Sequence, residues 1–307
     1  MKRVSLAKAA GWALAVGLLA GCAAPKAQFT DEDWVSNSTT GRGCYERGDF
    51  RRAADAYGRA QQRARALDDA DALAVAAVNR AVCLLADGQA KEALVAVDEA
   101  LADGRTSPGR RAELLVAGAR ADVAAGRADE ALGRVDAALK LEPEAALRAQ
   151  ALLAKSAAKL SEKDPTAAEQ ALAAGMSGKQ WKALPAVIRA EYAARRAEVA
   201  AAEDRAKDAV PLQDEAAALW KKAGRLPEMA RALAEAGRQA KASGDLAGAC
   251  DRFYRAARSL WAQGLQSAAV QALEAGVECA EQLQDEKVGK KLADLFVTFE
   301  NGKRLSK

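Results

Sequence analysis

The 307 residues contain no histidine at all, and that one absence narrows what the other polar side chains can do. Without imidazole there is no Ser-His-Asp or Cys-His nucleophile and no His-held metal site. No Cys-x-x-Cys, Walker or dinucleotide-type glycine pattern takes its place. Carboxylates are plentiful, with 42 Asp and Glu, and two of them could in principle act as the acid and base of a glycosidase. Charges spread along helices usually form the solvated face instead. The reading is therefore no catalytic residue, no metal and no cofactor. Two sets of side chains remain. Cys44, Cys83, Cys250 and Cys279 sit two at each end of the chain, each pair about one repeat apart, so neighbouring helices could join 44 to 83 and 250 to 279 in an oxidising compartment, or bury all four as free thiols. Arg42, Arg120 and Arg238 each stand six residues before a glycine, at Gly48, Gly126 and Gly244, and Arg231 and Lys241 share the helix face of Arg238.

The elements that would position these residues follow one plan. Gly126 to Pro143, GRADEALGRVDAALKLEP, gives a turn glycine, a helix with Ala128, Ala131, Leu132, Val135, Ala138 and Leu139 on one face, and a proline stop. The spacing of three and four is that of an amphipathic helix. Gly48 repeats it through Phe50, Ala53, Tyr57 and Ala60, Gly88 through Ala90, Ala93, Val97 and Ala100, and Gly244 through Leu246, Ala249, Phe253 and Ala256. Gly48 to Gly88 is 40 residues and Gly88 to Gly126 is 38. The gap of 118 from Gly126 to Gly244 divides into three such steps, placing turns near Asp164 and Asp204, and one further step reaches Gln284. Proline marks helix starts at Pro108, Pro165, Pro185 and Pro227. Pro211 fits worst: either the fifth pair is irregular or its second helix begins there. The map is of helix pairs at 34–47/49–67, 71–86/90–103, 109–124/127–141, 144–161/165–176, 185–202/205–223, 227–242/246–262 and 266–283/286–300. An Ala-dominated chain with 5% aromatics suits helices packed through small residues. The last helix carries Val288, Leu292, Leu295, Phe296 and Phe299 on one side, as a cap over the end of a stack.

The N-terminus reads as a processing signal. Lys2, Arg3 and Lys8 precede an apolar run, Ala9 to Ala20, too short to span a bilayer. Leu19-Ala20-Gly21-Cys22 then resembles the lipobox of bacterial lipoproteins. By that resemblance cleavage precedes Cys22, which carries covalent lipid, and Ala23 in place of Asp points to the outer membrane, facing the periplasm. An ordinary secretory peptide or an uncleaved anchor is the plainer alternative. Residues 1–21 are then the signal peptide, 22–33 a lipidated tether, 34–284 the repeat array and 285–307 a capping helix and tail. Removing the signal leaves 43 basic against 42 acidic side chains, and a nearly neutral body is no nucleic-acid binder. Contact with the membrane is through the lipid anchor only.

The repeats resemble tetratricopeptide repeats. The residues carrying the likeness are Gly41, Gly48, Phe50, Ala53, Tyr57 and Ala60; Ala81, Gly88, Ala93, Val97 and Ala100; Ala119, Gly126, Ala131, Val135, Ala138 and Pro143; and Gly237, Gly244, Leu246, Ala249, Phe253 and Ala256. The likeness covers about 40–143 and 227–262, with 144–226 assigned by spacing. The period of 38 to 40 departs from the family's 34 residues, and Val often replaces its second-helix aromatic. The resemblance implies an all-α solenoid of about six to seven antiparallel helix pairs in a right-handed superhelix. Its matched residues serve packing, and its binding groove is lined by the first helices. There Arg42, Arg120, Arg231, Arg238 and Lys241 would form a mildly basic strip for acidic or C-terminal segments, unless they are simply solvated. The functional expectation is an outer-membrane lipoprotein acting as a scaffold or adaptor for protein partners in envelope assembly: outer-membrane protein insertion, pilus or secretion, or murein machinery. The alternatives are a self-associating structural lipoprotein, hence a homo-oligomer, or a murein-acting enzyme.

Overall fold

The computed structural model describes residues 29–305 apart from Ser177. Among them it is all helix and no strand, and the chain divides into two compact units, one up to Ile188 and one from Arg189. The first unit holds α1 (Glu32–Glu46), α2 (Phe50–Ala66), α3 (Ala70–Ala86), α4 (Ala90–Leu101), α5 (Pro108–Ala124), α6 (Ala128–Lys140), α7 (Ala145–Ser161), α8 (Pro165–Gly175) and a short α9 (Gly178–Ala183). The second is built from most of α10 (Ala186–Ala202) with α11 (Ala206–Lys222), α12 (Leu226–Ala242), α13 (Leu246–Ala262), α14 (Gln266–Leu283) and α15 (Glu286–Leu305). Within each unit consecutive helices pack as antiparallel pairs that stack on the next pair, which makes each an α-solenoid.

Local chemistry sets these pairs. At Gly48, Gly88, Gly126 and Gly244 the turn between first and second helix takes φ of 79°, 78°, 75° and 87°, a left-handed conformation that costs glycine nothing. Lys163, Asp204 and Gln284 occupy the same place in the pairs that lack a glycine, at φ 64°, 56° and 56°. They lie where the repeat interval places turns. Asp49, Asp164 and Asp245 then cap the second helices, accepting from the N–H groups of Arg52, Ala167 and Gly248, which satisfies donors left open by the helix start.

Packing follows the same template. A Cβ at Gly41 would lie 2.7 Å from the Tyr57 ring, one at Gly237 3.0 Å from the Phe253 ring, and one at Gly276 3.1 Å from Leu292. Only glycine lets the first helix approach so near. The second-helix alanines Ala53, Ala60, Ala93, Ala100, Ala131, Ala138, Ala249 and Ala256 are fully buried. Polar ties cross between helices. Asp122 on α5 is wholly buried and holds Arg127 and Arg134, and Arg134 reaches on to Asp98 of α4 at 2.7 Å. Gln61 of α2 donates to the Ala96 carbonyl at 3.2 Å while accepting from Arg80 at 3.1 Å. At the N-terminal side Arg63 of α2 grips Asp31 with two bonds, of 2.9 and 2.7 Å, and Phe29 leans on Trp34.

Two details differ from expectation. α11 neither starts nor breaks at Pro211 but runs through it from Ala206 to Lys222. The proline forgoes a bond to the Lys207 carbonyl, one lost bond in a helix that is otherwise anchored by buried Ala209, Gln213, Ala216, Ala217 and Trp220. The short helix α9 has no counterpart in the repeat plan. No described helix is long and apolar enough to cross a membrane.

Candidate protein-binding surface

The cations expected along the first helices differ in exposure within each unit. In the first unit Arg42 is exposed on α1, but Arg120 on α5 is only 2% exposed and is the largest fully buried side chain among the described residues. Val82 and Ala157, at matching places on α3 and α7, are buried too. The reason is the alanine packing: α3, α5 and α7 lie against one another in succession, and helices lined with small residues come close enough to enclose that line of side chains. Arg120 is therefore an interior group, and a partner meeting the surface of this unit would not meet it.

In the second unit Arg231 and Arg238 are exposed on α12. Arg238 is engaged by Glu235 one turn before it, at 2.7 Å through Nε. Lys241 reaches across to Glu278 of α14 at 2.7 Å, and that bond raises the Lys241 ammonium above its ordinary value. The neighbouring positions are Glu274, Glu278 and Glu281, so this face is mixed in charge and acidic at its α14 end. Charge counting by position found the cations and missed the carboxylates that neutralise them.

Cys44, Cys83, Cys250 and Cys279, the four cysteines among the described residues, form two buried pairs of free thiols. Cys44 and Cys83 are near enough to feel each other: burial first, and Cys44 second, push the Cys83 thiol up to about 12. Cys250 is pushed up to about 11 by burial and by Cys279, and Cys279 rises for the same first reason. Cys250 Sγ lies 3.7 Å from the Gly276 carbonyl. Thiols held protonated are poor nucleophiles. No group of three or more Cys, Asp and Glu side chains that could hold a metal occurs among the described residues. Residues 1–28, where the signal peptide, Cys22 and most of the tether are expected, lie outside the described residues.

Two clefts open beside the last helix, α15. Between α14 and α15 an apolar cleft of about 490 Å³ is lined by Val277, Ala293, Phe296 and Val297 and rimmed by Glu274, Glu278 and Glu281. Phe296 is 39% exposed and Val297 57%. The capping helix thus does not turn all its large residues inward: Leu292 and Phe299 are buried, with Phe299 stacked on Trp261 at 4.1 Å, while Ala293, Phe296 and Val297 form a second stripe facing out. The i, i+3, i+4 spacing of that stripe was visible in the sequence. Across α15 lies a smaller cleft, lined by Tyr254, Lys287, Lys290, Lys291, Asp294, Leu295 and Thr298.

No family model matches the chain and no curated protein matches its sequence. Solved structures do match it. BtubC (BKLC) from P. vanneervenii is 18% identical with a TM-score of 0.55, the match covering 70% of this chain and 92% of that one. A Rap protein complexed with competence and sporulation factor is 18% identical with a TM-score of 0.59, over 92% of this chain and 79% of that one. The apo form of RapI is 12% identical with a TM-score of 0.51, over 82% and 99%. At these identities the likeness is one of fold.

Proposed function

We propose that this protein is an exported lipoprotein, held by lipid on Cys22 in the outer membrane and facing the periplasm, whose repeats serve as a scaffold for protein partners in envelope assembly. The observation that carries the binding role is the apolar cleft of Phe296, Val297, Val277 and Ala293, left open at the last pair of a fold whose other large apolar groups are mostly enclosed. An exposed apolar patch with a polar rim is the usual mark of a docking site. The Rap protein of the same fold, solved with competence and sporulation factor bound, is a precedent for a stack of this kind holding a second molecule. The address rests on the charged leader, the apolar run and Leu19-Ala20-Gly21-Cys22; one acyl chain anchors weakly and two or more anchor stably.

The test is affinity capture of the full-length protein from envelope extract, beside a Phe296→Glu, Val297→Glu variant. A stoichiometric partner retained by the parent and lost by the variant is expected. Recovery of nothing but further copies of the chain would replace the scaffold with a self-associating structural role. Lipidation is tested separately: Cys22→Ala, or globomycin, is expected to leave the precursor unprocessed, and normal maturation in their presence would remove the anchor.

A further inference from the structure

Many of the protein's basic side chains hold a carboxylate. Arg52, Arg63, Arg65, Arg105, Arg134, Arg205, Arg238, Lys241, Arg252 and Arg255 all have a carboxylate within ion-pair distance. The cleft between α13 and α15 does not follow this pattern. Lys287, Lys290 and Lys291 line a space of about 340 Å³, and among the described residues none of the three has an ion pair. Lys291 sits with Nζ 4.1 Å from the centroid of the Tyr254 ring, and the Arg258 guanidinium stands 5.5 Å from the same ring. The ring holds these cations by its quadrupole without neutralising them. Asp294 is the carboxylate on the lining, and it lies one turn beyond the lysines.

We propose that this cleft binds a compact phosphate-bearing anion. With three lysines against the single carboxylate of Asp294 the lining is net positive, a concave surface of net positive charge concentrates anions, and a space of this size is at the small end of ligand sites. The three lysines span four steps of helix rise, on the order of 6 Å, which suits one or two phosphate groups. An acidic protein segment, advancing about 3.3 Å per residue, would run off this short row onto Asp294 at one end or Asp285 and Glu286 at the other. Lysines are point charges suited to phosphate, whereas flat carboxylates are best gripped by the two-pronged arginine. The same phosphate chemistry is offered by a soluble anion and by a lipid headgroup. The site is independent of the apolar cleft on the other flank of α15 and of lipidation at Cys22.

The experiment titrates the purified full-length chain with pyrophosphate, with dioctanoyl phosphatidic acid and with hexaglutamate, following the amide resonances of Lys287, Lys290, Lys291 and Thr298. Saturable shifts are expected with a phosphate ligand. Tighter binding of pyrophosphate would identify a soluble anion, and tighter binding of phosphatidic acid a headgroup. A Lys287→Gln, Lys290→Gln variant, both positions exposed, is expected to keep its melting temperature and bind about tenfold or more weakly, since each lost charge-assisted contact removes a large part of so small a ligand's affinity. The proposal falls if neither phosphate ligand saturates at concentrations on the order of 10 mM, if hexaglutamate binds as tightly, or if the folded variant binds unchanged.

Discussion

At the scale of single residues, two glycines in helices have opposite meanings. Gly41 faces Tyr57 with no room for a methyl group, so Gly41→Ala is expected to cost about 1–3 kcal/mol by overpacking. Gly133 sits exposed within α6 with nothing within 4 Å of an added Cβ, and Gly133→Ala is expected to stabilise by about 0.5–1 kcal/mol through helix propensity. Urea midpoints of the two variants beside the parent check both signs. Charged residues divide in the same way. Arg120 looked like a surface contact because its place matched Arg42 and Arg238, whereas Asp122, two residues on, is the group around which Arg127 and Arg134 gather. Burial pushes the Asp122 carboxyl up from its ordinary value against the pull of those two guanidiniums. Sequence position alone does not reveal either place, because both residues are enclosed on the same crowded helix and it is the approach of α6 that brings Arg134 to Asp122.

At the scale of the element, the caps and turns determine where each helix stops. Lys163 and Asp204 hold left-handed backbone that disfavours a side chain. Lys163→Gly and Asp204→Gly are each expected to stabilise by about 1 kcal/mol, and Gly126→Ala, at φ 75°, to destabilise by a similar amount, measured by thermal or urea unfolding. These turns could be located by counting from the visible glycines but not by composition, because the residues standing there are ordinary helix formers. α1 is fastened by Asp31, which caps it at the Trp34 N–H and bonds Arg63 of α2. Arg63 first, and the Trp34 amide second, lower the Asp31 carboxyl to about 2. A lowered carboxylate contributes stability in full above its unfolded value, about 3.9, and loses it as pH falls through the folded one. The stability difference between the parent and Asp31→Ala is therefore expected to be constant above about pH 5 and to shrink toward pH 2 to the part that a neutral carboxyl still supplies as a cap, as followed by urea titrations across that range. A difference that persisted undiminished at pH 2 would remove the ion pair as its source.

At the scale of the molecule, the architecture was the most legible part. Helix pairs, their order and nearly all their boundaries follow from apolar spacing, proline starts and the interval of about 40 between turns. The exceptions have local causes: Pro211 is tolerated because α11 has a buried face on either side of it, and α9 fills an irregular connection that obeys no period. The surface was less legible. Which face stays open depends on how closely alanine-lined helices settle, and that closes the line through Val82, Arg120 and Ala157 while leaving Phe296 and Val297 outside. A stack whose members touch mainly their sequence neighbours also loses stability locally, so damage in one unit need not spread to the other.

The buried cysteines make that locality measurable. Cys44 and Cys83 lie in the first unit, Cys250 and Cys279 in the second, and all four are shielded from solvent. An alkylating reagent reaches a shielded thiol only when its surroundings open, so the rate at which each pair becomes blocked is a natural clock for the opening of its own unit. Gly41→Ala is expected to quicken modification of Cys44 and Cys83 and to leave Cys250 and Cys279 at the parent rate, read by mass spectrometry of the digested chain. Cysteines that yield only after prior reduction would instead be linked in the mature protein. The chain thus carries two internal timers, placed so that neither needs to be engineered.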